Sequence, residues 1–241
     1  MDLIVKIFRI IKETDEEIRK KQVWIGNGLI KVYTPPEPGK ILKDKLDNWI
    51  QFTTNNDDID PLIKMALLHY QFECIHPFSD GNGRTGRILN VLHLAYTGLL
   101  DLPILYLSKY ILEYKSEYYR LFTEVTEQEK WEDWIIFMLE AVRQTAKFTL
   151  AKINAIYELF QKVQEQIKTD ASDIYSYELV EMLFHQPYCK IGILVKNNVA
   201  SRNTASKYLN RLVNLGILDK KAEGREILYL NKELYKILAK A

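Results

Sequence analysis

Between two apolar runs with helical spacing, Pro61–Cys74 and Arg84–Leu99, lies Ile75-His76-Pro77-Phe78-Ser79-Asp80-Gly81-Asn82-Gly83, where proline and glycine forbid one continuous helix. From Arg84 onward Thr85, Gly86 and Arg87 lead into a helix whose apolar face is Ile88, Leu89, Val91, Leu92 and Leu94. Such a break delivers backbone N–H groups to a helix N-terminus, where unpaired donors and the positive dipole end favour an anion. Gly81 and Gly83 let that backbone approach a phosphate closely, and Arg84 and Arg87, three apart, share a helix face. Two guanidiniums beside the N-terminus make a polyphosphate cradle, and the Asp80 carboxylate suits the Mg²⁺ that accompanies nucleotide phosphates. His76 is the side chain of this segment that titrates near neutrality and can take the proton of an attacking hydroxyl. Together these parts suit phosphoryl or nucleotidyl transfer to an alcohol.

Each residue also has a plainer use. His76 alone reads as a hydrogen-bonded core histidine, Asp80 as a turn cap, and Arg84 and Arg87 as solvated helix charges. Their concentration in one short loop favours the joint chemical reading. Gly81-x-Gly83-x-x-Gly86 formally matches the dinucleotide fingerprint, but a helical pattern precedes it where that fingerprint needs a strand.

The rest of the chain bounds the setting. Its 241 residues, 47% of them hydrophobic, with 33 basic and 32 acidic side chains, describe a globular protein of one or two domains. The longest uncharged stretch, Ile88–Leu100, is shorter than the roughly 18–20 residues of a bilayer crossing, so no membrane span is expected. Cys74 and Cys189 stand far apart without metal-knuckle spacing, which suits a reducing, cytoplasmic location. Helical periodicity recurs in Leu3–Arg19, Ile41–Phe52, Pro61–Cys74, Arg84–Leu99, Ser108–Val125 and Trp131–Ile167, so residues 1–170 are expected to form a mainly helical domain. A small hairpin turns at Asn27-Gly28 within it, followed by Pro35-Pro36-Glu37-Pro38. Residues 171–241 change character: three short helical stretches precede a hairpin turning at Glu223-Gly224-Arg225, which is winged-helix order.

His76-Pro77-Phe78-Ser79-Asp80-Gly81-Asn82-Gly83-Arg84-Thr85-Gly86-Arg87 resembles the complete signature of the Fic (Fic/DOC) family. The likeness extends through Val23-Trp24-Ile25-Gly26, Tyr33-Thr34-Pro35-Pro36 and Ala66–Glu73 to Glu117-Tyr118-Tyr119. The resemblance implies a mainly α fold: a Fic-like helical domain with a β-hairpin flap, then a winged helix. It implies protein adenylylation, in which a Ser, Thr or Tyr hydroxyl of a target protein, or of the chain itself, attacks the α-phosphate of ATP and pyrophosphate leaves, with Mg²⁺ as cofactor. His76 then corresponds to the general base, Asp80 to the Mg²⁺ ligand, and the Gly81–Gly83 backbone with Asn82 to the anion hole. Arg84 and Arg87 correspond to phosphate ligands, with Thr85 and Gly86 in the same nucleotide-binding run. Ile30, Lys31, Val32 and Tyr33 correspond to the flap along which a target segment is added as a strand. Tyr118 matches the position beside the adenine, although Thr126 stands where relatives often carry Asn, and Tyr118 reads equally as a core aromatic. Gly83, where a phosphorylating variant of the family has Lys, favours adenylyl transfer.

Many relatives carry an inhibitory Ser/Thr-x-x-x-Glu-Gly/Asn helix whose Glu pairs with the second motif Arg. No such string occurs here, and the chain starts shortly before the hairpin, so a truncated or shortened form with Arg87 unrestrained and transfer active is expected. Residues 171–241 hold 11 Lys+Arg against 7 Asp+Glu, leaving 22 against 25 in the first 170. Arg202, Asn203, Lys207 and Arg211 on a recognition-type helix suit DNA contacts, while so modest a charge equally suits protein docking. The rival functions are a nucleotide-sensing DNA-binding regulator and a hydrolase removing AMP through the same pocket. Trp131, Trp134, Ile135 and Leu139 belong either to the core or to a homodimer contact.

Overall fold

The computed structural model describes residues 2–27, 30–55, 57–224 and 226–239. Gly28 and Arg225 of the two expected turns, and the side chains of Ile30, Lys31 and Val32, lie outside what is described. The chain divides into two compact units, Met1–Thr149 and Leu150–Ala241.

In the first unit the order is α1 (Asp2–Lys12), the antiparallel hairpin β1 (Ile25–Asn27) and β2 (Ile30–Tyr33), α2 (Lys40–Thr54), α3 (Pro61–Ile75), α4 (Asn82–Tyr96), α5 (Leu107–Glu113) and α6 (Lys115–Gln128). α7 (Trp131–Asp170) begins in this unit and crosses the division. α1 is shorter than the Leu3–Arg19 periodicity predicts. Glu13 takes a left-handed conformation, φ 50°, which ends the helix and frees Arg19 for contacts elsewhere. The Ser108–Val125 run is likewise two helices, parted at Tyr114.

α3 is apolar on all sides and accordingly central. Leu68, Phe72 and Ile75 join Phe8, Leu42, Leu46 and Phe78 in one core cluster, whereas Met65 and Ala66 join Val91, Leu94, Phe122 and Trp134 in another. Asp60 caps it by accepting from the Leu62 N–H at 2.8 Å, and Pro61 opens its first turn. Its C-cap is His76, left-handed at φ 49° and followed by Pro77, which cannot extend the helix. Trp134 is fully buried and donates through Nε1 to the Ala66 carbonyl at 3.0 Å, which places it in the core.

The second unit contains the C-terminal part of α7, a 3₁₀ turn at Ser172–Ile174, α8 (Tyr177–His185), β3 (Tyr188–Cys189), α9 (Ile191–Lys196), α10 (Arg202–Asn214), β4 (Asp219–Glu223), β5 (Glu226–Leu230) and α11 (Lys232–Ala239). The strands form an antiparallel sheet in the order β3-β5-β4, so the helices and hairpin make a winged helix with a short third strand that periodicity does not reveal. Val163 and Ile167 of α7 pack into this unit's core. The division therefore falls at 149/150 and not after residue 170: a helix that reads as one periodic segment serves two cores in turn. On α10, Ala205, Leu209 and Leu212 point inward, while Arg202, Asn203 and Lys207 are exposed. Arg211 is engaged, lying 3.5 Å from Asp173 and donating to the Asp170 carbonyl.

Replacing Trp134 by Ala removes a large buried ring and leaves the Ala66 carbonyl unpaired, for an expected loss of about 3–5 kcal/mol. Urea unfolding followed by circular dichroism measures it; a loss below about 1 kcal/mol would contradict the central placement of this ring.

Candidate active site

The α3–α4 loop is closed by its own side chains. Asn82 accepts from the Phe78 N–H through Oδ1 and donates to the Phe78 carbonyl through Nδ2, both at 2.9 Å. Thr85 donates its hydroxyl to the Gly81 carbonyl at 3.0 Å, and Gly81 takes φ 86°. From behind, the Phe78 ring stacks on Phe8 with centroids 3.8 Å apart. The buried Arg19 donates from Nε to the His76 carbonyl at 2.8 Å, and its other nitrogens reach the Lys21 and Pro36 carbonyls at 3.1 and 2.5 Å. Satisfying so many main-chain oxygens with one guanidinium fixes the loop and with it the direction of the His76 side chain.

α4 starts at Asn82, two residues earlier than predicted, and no side chain caps it. The N–H groups of Asn82, Gly83 and Arg84 therefore have no intrahelical partner. They face a cavity of about 430 Å³ whose lining includes His76, Asp80, Gly81, Asn82, Gly83, Arg84, Arg87 and Tyr118. These candidates thus come together. Thr85 and Gly86 do not: both are buried beneath the helix, Thr85 holding the loop and Gly86 sparing space for Glu73, whose Oε1 would stand 2.8 Å from a Cβ there. The side chain of Asn82 is spent on loop closure, so an anion here meets its N–H. On the flap side Trp24, Ile25 and Gly26 line the cavity, whereas Tyr33 faces a separate hollow with Cys74 and packs edge-on against Phe122. A larger hollow of about 920 Å³ between α1 and the start of α2 gathers Lys6, Arg9 and Lys43 with Asp2 and Glu17, without a comparable chemical grouping.

The His76 ring has a defined tautomer. Nδ1 lies 3.1 Å from the Glu73 carbonyl oxygen, and because a carbonyl only accepts, Nδ1 carries the hydrogen and Nε2 keeps its lone pair. Burial pushes the His76 pKa down to about 4, so the ring is neutral near pH 7. Arg87 donates from Nε to Ser108 Oγ at 2.8 Å, which orients the guanidinium. Asp80 is held ionised by Lys12, whose Nζ lies 2.5 Å from Oδ2, and Arg84 stands 3.6 Å from the same oxygen. No cluster of three metal-binding side chains occurs among the described residues. The ionised Asp80 carboxylate, an oxygen donor that already attracts an ammonium, has the chemistry to hold a Mg²⁺ ion.

Tyr118 is a core residue that reaches the cavity with one edge. It is 8% exposed, its ring lies 5.2 Å from that of Trp134, and its hydroxyl bonds His69 Nε2 at 3.1 Å. Thr126 bonds the Tyr70 hydroxyl at 2.8 Å and is absent from the lining. Burial raises the Cys74 and Cys189 thiol pKa values to about 11, so both are protonated thiols near pH 7. Lys12, Arg19, Glu73 and Ser108 were missed by the sequence reading. Only Glu73, an acid in an otherwise apolar run, carried a visible signal.

Burial holds His69 at about 3 and His76 at about 4, both below the ordinary 6.5. Their neutral forms stabilise the fold fully above about pH 6.5, and that contribution declines at about 1.4 kcal/mol per pH unit per ring as pH falls toward the folded values. Glu73, raised by burial to about 7, acts in the opposite direction between its ordinary 4.5 and 7, offsetting one ring. Urea midpoints should therefore drop from pH 6.5 to 4.5, and a flat profile would contradict two buried neutral rings.

Residues 2–94 match the Fic/DOC family, and residues 159–234 match the C-terminal domain of SoFic-like protein adenylyltransferases. Among curated proteins, the protein adenylyltransferase Fic of Drosophila mojavensis is 29% identical over 157 residues, covering 64% of this chain and 28% of that protein. Its Drosophila virilis counterpart is 39% identical over 75 residues, covering 30% and 14%. The chain thus spans less than a third of the length of these relatives. A Fic family protein from Desulfovibrio desulfuricans superposes with a TM-score of 0.55 at 20% identity, over 94% of this chain and 67% of that one, which shows a shared fold. The loop, the helical frame and both matched segments thus agree: residues 2–94 resemble the Fic/DOC family, and residues 159–234 resemble the SoFic-like C-terminal domain.

Proposed function

We propose that this chain is a protein adenylyltransferase, moving AMP from ATP to a Ser, Thr or Tyr hydroxyl of a target protein, itself included, with release of pyrophosphate. The observation that carries this reading is the His76 ring: neutral, with Nδ1–H fixed on a carbonyl and Nε2 free, beside the uncapped N-terminus of α4. In the transfer, the N–H groups of Gly83 and Arg84 and the guanidiniums of Arg84 and Arg87 bind and orient the phosphates. Nε2 accepts the proton of the target hydroxyl as its oxygen bonds to the α-phosphorus, and the bond from that phosphorus to the bridging oxygen breaks with pyrophosphate as leaving group. Asp80 would hold Mg²⁺, which when bound neutralises phosphate charge. The names of the relatives support the same donor and reaction class.

His76→Ala should lower transfer of labelled AMP by about 10²–10⁴-fold while ATP binding stays within about twofold. Equal transfer by the variant would remove His76 from its role. A parent chain that binds ATP and labels no protein would point to nucleotide sensing instead.

A further inference from the structure

Resting on His76 as the base, we infer that Glu73 is its positioning residue: the Glu73 carboxylate backs the Nδ1 side of the ring and balances the charge that appears when Nε2 accepts the substrate proton. Glu73 lies on α3 three residues before His76 and offers two acceptors to one ring nitrogen. Its main-chain oxygen is 3.1 Å from Nδ1, and its Oε2 is 4.0 Å from the same atom. Its Oε1 is buried and has no hydrogen-bond partner. An unpaired buried carboxyl is costly to keep, and the fold makes room for it, since Gly86 leaves no Cβ to crowd Oε1.

The surroundings select His76 as its partner. On its own helix, His69, held neutral by burial, borders Gly86 as the carboxyl does, and Cys74 is near enough to feel it electrostatically. From α6 it is faced by Tyr118 and Tyr119. Arg87 of α4 is near enough to act on it electrostatically, yet gives Nε to Ser108 and makes no ion pair with it within 4.0 Å. Arg19 and Asp80 act on the ring from its other sides. Burial places the Glu73 carboxyl at about 7, so it ionises across the neutral range. In the proton transfer no atom passes to Glu73: the hydroxyl proton goes to Nε2, Nδ1 keeps its own, and the imidazolium is stabilised by the ionised carboxylate, whereas the protonated acid gives no such balance. Transfer should therefore rise with pH through about 7.

The test is Glu73→Gln in the full chain, read by kinetics and by histidine ¹⁵N spectra. We expect kcat for AMP transfer to fall on the order of 10²-fold with KM for ATP unchanged, and the acid limb near pH 7 to vanish. Glu73→Asp should restore part of the rate. In the spectra, parent His76 should show the Nδ1–H tautomer and an inflection near pH 7 that the Gln variant lacks. An unchanged kcat and pH profile, or a raised KM with kcat intact, would overturn the inference. Absence of transfer in the parent would refute the enzymatic reading alone, because the His76 titration needs no turnover and still decides the coupling. If the Gln variant does not fold, parent spectra without that inflection overturn the inference and spectra with it support it.

Discussion

The site depends on how the chain turns between α3 and α4 without leaving backbone groups unpaired. Asn82 serves as both donor and acceptor to Phe78, so one amide side chain closes the loop on itself. Arg19 then satisfies the part-buried His76 carbonyl. With the loop closed from within and held from behind, the N–H groups at the start of α4 are left facing the cavity. An anion site arises because the donors inside the loop are satisfied and those at its mouth are not.

The charges around that mouth are graded. Lys12, Arg84 and Arg87 supply positive charge near the surface, with Asp80 set among them. Deeper in, the histidines are neutral and Glu73 is poised between its two forms. Permanent cations thus stand at the mouth, while the groups able to change protonation state lie below, where burial governs them.

Much of this was legible in the sequence because local chemistry wrote it: Pro77 and the glycines break the helix, and apolar spacing marks α3, α4 and the long α7. The loop residues read as one site, and the cavity gathers most of them. Spacing gives no warning that Thr85 and Gly86 face inward, because in the first turn of a helix one residue's difference in the starting point rotates each side chain by about 100°. Arg19 was equally silent, since its role depends on α1 stopping at Lys12, and a single left-handed Glu13 decides that. The division within α7 was hidden because continuous periodicity does not say which core each turn serves.

The grip of Arg19 also governs how the His76 imidazole is aimed. The imidazole is set through its own main-chain carbonyl, held by a cation whose other bonds run to the Lys21 and Pro36 carbonyls. Small shifts in those two backing segments are levered through the carbonyl of a residue already in a left-handed turn. Tuning of the ring's angle is therefore open to substitutions that never border the cavity.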